Sequence, residues 1–132
     1  MMQILQPPGW AKPRGFSNGI AVKGGTTVYV AGQVGWSDGM WDAKDFTGQF
    51  RQALRNVLEV VAQARGRPEH IVRLTWYVVD RGEYLASLQA VGEAYRELMG
   101  RHYPTMSVMQ VSGLVEKLAR LEIEATAVIP DP

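Results

Sequence analysis

The sequence predicts an α+β domain, a mixed β-sheet with two helices packed on one of its faces. Three observations carry that expectation. Alternating runs rich in β-branched and apolar residues recur at 26–34, 71–79, 105–111 and 120–129. Between them, residues 45–65 and the stretch after Asp80 carry apolar residues at steps of three and four. Each helical segment is flanked by strands, so each makes a crossover, and right-handed crossovers of this kind place both helices on the same side of the sheet.

The 132 residues, 46% of them hydrophobic, suit one domain spanning 1–132 with a small core. Residues 1–15 hold Pro7, Pro8 and Pro13 and read as an extended, proline-punctuated arm. From Thr26 to Val34 the pattern puts Val28, Val30 and Val34 on one face and Thr27, Tyr29 and Gln33 on the other. Gly32 within it has no side chain, so backbone or a ligand can come close there. A turn at Ser37-Asp38-Gly39 leads to a helix over 45–65. That helix buries Phe46, Phe50, Leu54, Val57 and Val61, with Asp45 as N-cap and Gly66 as the stop.

Pro68 precedes a strand from Ile71 to Val79. Asp80-Arg81-Gly82-Glu83 then has capping-box spacing, with Asp in place of Ser or Thr. The helix it opens buries Tyr84, Leu88, Val91, Tyr95 and Leu98; Gly100 ends it and Pro104 prevents its resumption. Thr105–Val111 and Arg120–Ile129 are the last two strands, joined through residues 113–119. The expected order is strand, strand, helix, strand, helix, strand, strand, with the residues of the opening strand not bounded by the pattern.

On the final strand Leu121, Ile123, Ala125, Ala127 and Ile129 share one side, while Glu122, Glu124, Thr126 and Val128 share the other. On the strand from Ile71, the set Val72, Leu74, Trp76 and Val78 alternates with Ile71, Arg73, Thr75, Tyr77 and Val79, so both faces carry apolar groups. Two helices cover one face only, and two-sided hydrophobicity in a domain this small points to self-association.

Composition excludes several function classes. A net charge of +1, without a Lys/Arg cluster, gives no footprint for nucleic acid. The absence of cysteine removes disulfides, thiol nucleophiles and Cys-based metal sites, and fits a cytoplasmic protein. No apolar run reaches the roughly 20 residues of a membrane helix, and Met1–Pro8 lacks the blocks of a signal peptide, so no membrane partner is expected. His70 and His102 are too few and too separated for a metal site, and no phosphate or dinucleotide loop is present, so neither metal nor cofactor is expected. Trp10, Trp36 and Trp41 sit where they could rim a pocket, but packing is the simpler reading.

Glu122 and Glu124 are the residues best suited to chemistry. Two apart on a strand, they share a face with α-carbons roughly 7 Å apart. Either fits a general acid or base, and mutual repulsion with partial burial would raise at least one pKa. From residue types alone, an exposed acidic strand face paired with Arg73 or Arg120 is the simpler account.

A wider pattern changes that weighting. It comprises Phe16-Ser17, Val30-Ala31-Gly32-Gln33-Val34-Gly35, Arg73-Leu74-Thr75-Trp76-Tyr77-Val78-Val79-Asp80, Gly100-Arg101-His102-Tyr103-Pro104-Thr105-Met106-Ser107 and Leu121-Glu122-Ile123-Glu124-Ala125-Thr126-Ala127. On these segments, in order and spacing from Pro13 to Val128, the chain resembles the YjgF/RidA (Rid) family of small trimeric proteins, best known as enamine/imine deaminases. The resemblance implies a chorismate-mutase-like sheet-and-helix fold, a homotrimer with a barrel-like centre, and small-molecule pockets at the subunit interfaces. It makes Glu122 the acidic pocket residue that positions water or substrate, and Ala31 and Gly32 a lining of backbone groups.

Two polar handles are missing. Phe16 stands where the family commonly has a tyrosine, and Met106 where deaminating members have the arginine that grips the substrate carboxylate. Gln89 replaces a frequent asparagine, and the loop from Ser112 to Arg120 lacks the family's Leu-Pro pattern. These departures mark a divergent subgroup. A charge-assisted hydrogen bond contributes about 1.5–3 kcal/mol, so its loss weakens binding of a carboxylate-bearing imine about ten- to a hundredfold. Arg14, Arg73 and Arg101 lie near the pocket-forming segments, but each reads as a surface charge. The resemblance thus leads to a pocket that hydrolyses enamine or imine metabolites, weak or inactive on amino-acid-derived imines, or alternatively to a non-catalytic binding or regulatory trimer. Ribonuclease activity, ascribed to some members, sits poorly with the near-neutral charge.

Overall fold

The computed structural model describes residues 2–37, 40–41 and 45–132. Its centre is a mixed four-stranded sheet in the order β3-β8-β6-β7, formed by β3 (Thr26–Gln33), β8 (Leu121–Ile129), β6 (Ile71–Val78) and β7 (Thr105–Gln110). β8 runs antiparallel to both its neighbours, and β6 and β7 are parallel. The parallel pair requires the crossover expected from the intervening helical pattern. The arm is more ordered than its prolines suggest, because β1 (Met2–Leu5) pairs antiparallel with β2 (Gly19–Val22) as a separate ribbon. A short hairpin, β4 (Trp36–Ser37) with β5 (Met40–Trp41), follows β3. The proposed turn residues Asp38 and Gly39 lie outside the described residues, as does the side chain of Trp41.

Helix α1 (Phe46–Gln63) starts where expected, with Asp45 accepting a hydrogen bond from the Gly48 N–H at 3.2 Å. Its anticipated stripe Phe46, Phe50, Leu54, Val57 and Val61 is buried. Its stop differs in detail. The N–H groups of Arg65 and Gly66 return to the carbonyls of Ala62 and Val61, and Arg65 takes the left-handed conformation at φ 63°. Gly66 serves packing instead, since a Cβ there would come within 2.5 Å of Val61 and 2.9 Å of Ile129.

The second expected helix is divided. α2 (Arg81–Ala86) ends at Ser87, whose hydroxyl donates to the Glu83 carbonyl at 2.8 Å, and α3 (Leu88–Met99) begins immediately after. A serine bonding back to the fourth preceding carbonyl competes with the helix ladder. The break rotates the stripe: Val91, Ala94, Tyr95 and Met99 are buried, Tyr84 and Leu98 are half-buried, and Leu88 is exposed. Asp80 caps α2 by accepting from the Glu83 N–H, but the Glu83 carboxylate pairs with Arg120 at 2.7 Å rather than closing a capping box. Gly100 ends α3 at φ 66°.

α1 and α3 cover one face of the sheet, against Leu74, Trp76, Val78, Leu121, Ile123 and Ala125. The β8 alternation holds as read, with Glu122, Glu124 and Thr126 half-buried on the face without helices. Two irregularities alter the faces elsewhere. A register shift between Ile71 and Arg73 turns Ile71 into the core beside Leu74, although strict alternation groups it with Arg73. A second, between Val30 and Gln33, places Ala31 and Gly32 in a bulge and sets Gln33 opposite Ile123.

Candidate functional site

The side chains singled out in the sequence fall into two groups on opposite faces of the sheet. One is built by the β3 bulge. A Cβ on Gly32 would lie 2.5 Å from Oε2 of Glu122 and 2.8 Å from its Cγ, so the Glu122 side chain runs directly against the glycine backbone. Glu124, next on that face, accepts a 2.5 Å hydrogen bond from the Tyr77 hydroxyl, and this bond with the carboxylate charges nearby raises the tyrosine pKa. Arg73 pairs with neither glutamate, and Arg120 is engaged with Glu83. A cleft of about 470 Å³ on this face is lined by Tyr29, Ala31, Arg73, Thr75 and Glu124.

The second group lies on the helical side, at the sheet edge. Ser17 is clamped to the start of β7: its hydroxyl donates to the Tyr103 carbonyl at 2.5 Å and its N–H to the Pro104 carbonyl at 3.0 Å. That clamp carries Phe16 to the position where Met106 emerges. Phe16 and Met106 together line a cavity of about 510 Å³ between β7 and α3, whose walls include Trp76, Val91, Arg14 and Arg96. Its volume is in the range of small-molecule sites, roughly 300–1,000 Å³. Beside it Tyr95 stacks on Tyr103 at 5.3 Å and donates to the His102 carbonyl at 2.6 Å, while burial pushes the Tyr95 hydroxyl well up. Burial likewise raises Tyr84.

Gln89 is exposed on α3 and does not line that cavity. Arg14, read from the sequence as a surface charge, does line it, whereas Arg73 lies on the other face and Arg101 is exposed. Arg96 was not legible as a site residue: it sits in the last turn of a helix, where a cation is ordinary. Trp10 is 62% exposed over a shallow groove, and Trp36 lines a separate polar cleft beside α1. His70 Nδ1 accepts from the Arg67 N–H and His102 Nε2 lies 2.6 Å from the Ile71 carbonyl, so both rings are engaged with backbone. Among the described residues no three potential ligands cluster to hold a metal, and no helix is long and apolar enough to cross a membrane.

The family model of endoribonuclease L-PSP matches residues 11–129. The chain belongs to that family, the YjgF/RidA (Rid) group. A 2-iminobutanoate/2-iminopropanoate deaminase of Salmonella typhimurium is 35% identical over 86 residues, 65% of this chain and 66% of that protein, just short of two thirds of its length. Among solved structures, the Rid protein YyfB of Yersinia pestis, of unknown function, matches with a TM-score of 0.86 at 31% identity, covering 97% of this chain and 98% of that one. The Escherichia coli TdcF structure with bound serine matches at 0.67 and 30%, covering 96% and 98%. The mixed sheet with helices on one face is therefore the Rid fold.

Proposed function

We propose that this Rid protein hydrolyses reactive enamine or imine metabolites in a pocket completed between subunits, with weak or no activity on amino-acid-derived imines. The observation that carries the reading is the separation of the two groups. Glu122 with Gly32 and Phe16 with Met106 face opposite sides of one sheet, with β6 between their strands. A site using both needs Glu122 from one subunit and the β7 edge of another, as in a homotrimer.

Water adds across the C=N bond to give a carbinolamine, whose C–N bond then breaks to leave a carbonyl and ammonia. Glu122 orients the water and moves its proton from oxygen to nitrogen, while Ala31 and Gly32 offer backbone groups. Imines hydrolyse readily once water is placed, so the reaction asks for little beyond orientation and one acid/base group. Met106 and Phe16 give the substrate an apolar seat, and neither of these two residues offers a polar handle. That same loss of handles favours the second reading, a trimer that binds a small metabolite without turnover.

Ammonia release from freshly generated imines, with and without carboxylates, separates the two. Expected are turnover of non-carboxylate imines, a loss of at least a hundredfold in Glu122→Ala, consistent with the roughly 10²–10⁴-fold contribution of a general acid or base, and gain of carboxylate-imine activity in Met106→Arg. Full activity in Glu122→Ala defeats the mechanism. No turnover of any imine by wild type or Met106→Arg leaves the binding trimer.

A further inference from the structure

Across the β6–β8 ladder Tyr77 stands directly opposite Glu122, and Thr75 directly opposite Glu124. Side chains placed so on one face are close neighbours, about 4.5–5.5 Å apart at Cβ. The Tyr77 hydroxyl nevertheless passes its direct neighbour and donates along the diagonal to Oε1 of Glu124 at 2.5 Å. Thr75, small and 7% exposed, leaves Glu124 room to lean toward it. Arg73, opposite Thr126, is the other diagonal neighbour of Glu124, yet it makes no ion pair among the described residues. Glu124 thus has two groups within diagonal reach and takes the phenol, through a charge-assisted bond of the short, strong kind. That bond is the first cause of the raised Tyr77 pKa, followed by desolvation and by the charges of Glu124 and Glu122.

Glu122 is held differently. Its Oε2 and Cδ lie 2.5 Å and 2.6 Å from where a Cβ on Gly32 would be, and no hydrogen bond among the described residues fixes it there. A glutamate has several staggered rotamers to choose from, so a carboxylate without a bond stays in place only if its surroundings leave it no alternative. β8 runs between β3 and β6. Glu122 is therefore flanked by the Gly32 backbone on the β3 side and by Tyr77 on the β6 side.

We infer that Tyr77 is a positioning residue: its hydroxyl, anchored on Glu124, fixes its ring as the wall that keeps the Glu122 carboxylate on the Gly32 backbone. Without the anchor the ring is free to turn, Glu122 gains room over β6, and Glu124 is released toward Arg73. The catalytic consequence rests on the proposed hydrolysis by Glu122; the placement of the carboxylate does not.

Two readouts keep these apart. Steady-state ammonia release gives kcat and KM, and the Gly32 amide resonance in isotope-labelled protein reports on the carboxylate beside it without turnover. Tyr77→Phe and Glu124→Ala should each move the Gly32 resonance and lower kcat about ten- to a hundredfold with KM within about twofold, the scale of a misplacement of about 1 Å. Combined in one chain they should lower kcat no further, because both remove the same anchor. Glu124→Gln keeps an acceptor for the hydroxyl and should leave kcat and the Gly32 resonance close to wild type. In a Glu122→Ala background Tyr77→Phe should change nothing more, since Tyr77 acts through Glu122. If wild type turns over no imine while Gly32 shifts as expected, the positioning stands and the hydrolysis falls. An unmoved Gly32 resonance in Tyr77→Phe overturns the inference, as does full kcat in that variant, a further loss in the Glu122→Ala background, or a loss that comes with a lower native mass by light scattering.

Discussion

Gly32 and Gly35 are both crowded, but a methyl group at each meets a different kind of neighbour. At Gly35 a Cβ would come within 2.7 Å of the Gln49 Cα, backbone of a buried helix that cannot step aside. Overpacking of that kind costs about 1–3 kcal/mol. At Gly32 the collision is with the carboxylate end of Glu122, a flexible side chain that swings away at little cost. Gly32→Ala should therefore keep its melting temperature close to wild type while losing imine hydrolysis as fully as Glu122→Ala; Gly35→Ala should show the reverse, a lower melting temperature with activity retained in the folded fraction. Thermal denaturation beside ammonia release reads both. Retained hydrolysis in a folded Gly32→Ala would mean that the position of the Glu122 carboxylate does not matter.

Among the elements, those governed by a simple period were legible and those governed by an interruption were not. The α1 stripe and the β8 alternation follow directly from spacings of three to four and of two, because each element buries one continuous face. The two register shifts insert a residue into a strand, which no period of two encodes, and so Ile71 and Gln33 change sides. The division of α2 from α3 turns on one serine hydroxyl, and it moves Leu88 from the expected core to the cavity rim. Glu122, Phe16, Met106 and Gly32 could be picked out by motif. The cavity could not, since Phe16 reaches Met106 only through the Ser17 clamp on Tyr103 and Pro104.

Gln49 shows the same limit. It lies inside the helical stripe yet is 2% exposed, donating to the Leu118 carbonyl at 3.0 Å and accepting from the Arg120 N–H at 2.8 Å. It ties the 112–120 loop, the region that departs from the family pattern, to α1. Replacing it with alanine strands two backbone groups, and Gln49→Ala should lose about 1–3 kcal/mol in urea denaturation. Gln49→Glu, which keeps the acceptor for Arg120 and loses the donor, should fall between the two; a variant as stable as wild type would show that water satisfies the loop.

At the scale of the whole molecule, the helix-free face of the sheet decides the oligomeric state. It presents Tyr29, 79% exposed, on one outer strand and Met109, 43% exposed, on the other, with half-buried Glu122, Glu124 and Thr126 between them. A sheet with one bare face of this mixed character gains by covering it with a copy of itself. Light scattering should give a native mass three times the 14.6 kDa of the chain. Tyr29→Glu combined with Met109→Glu brings like charges onto the face proposed to pair, beside the existing glutamates, and should yield a monomer. Hydrolysis at the proposed site, with Glu122 from one subunit against the β7 edge of another, should vanish in the monomer. A wild-type monomer that hydrolyses imines would remove the need for the inter-subunit site.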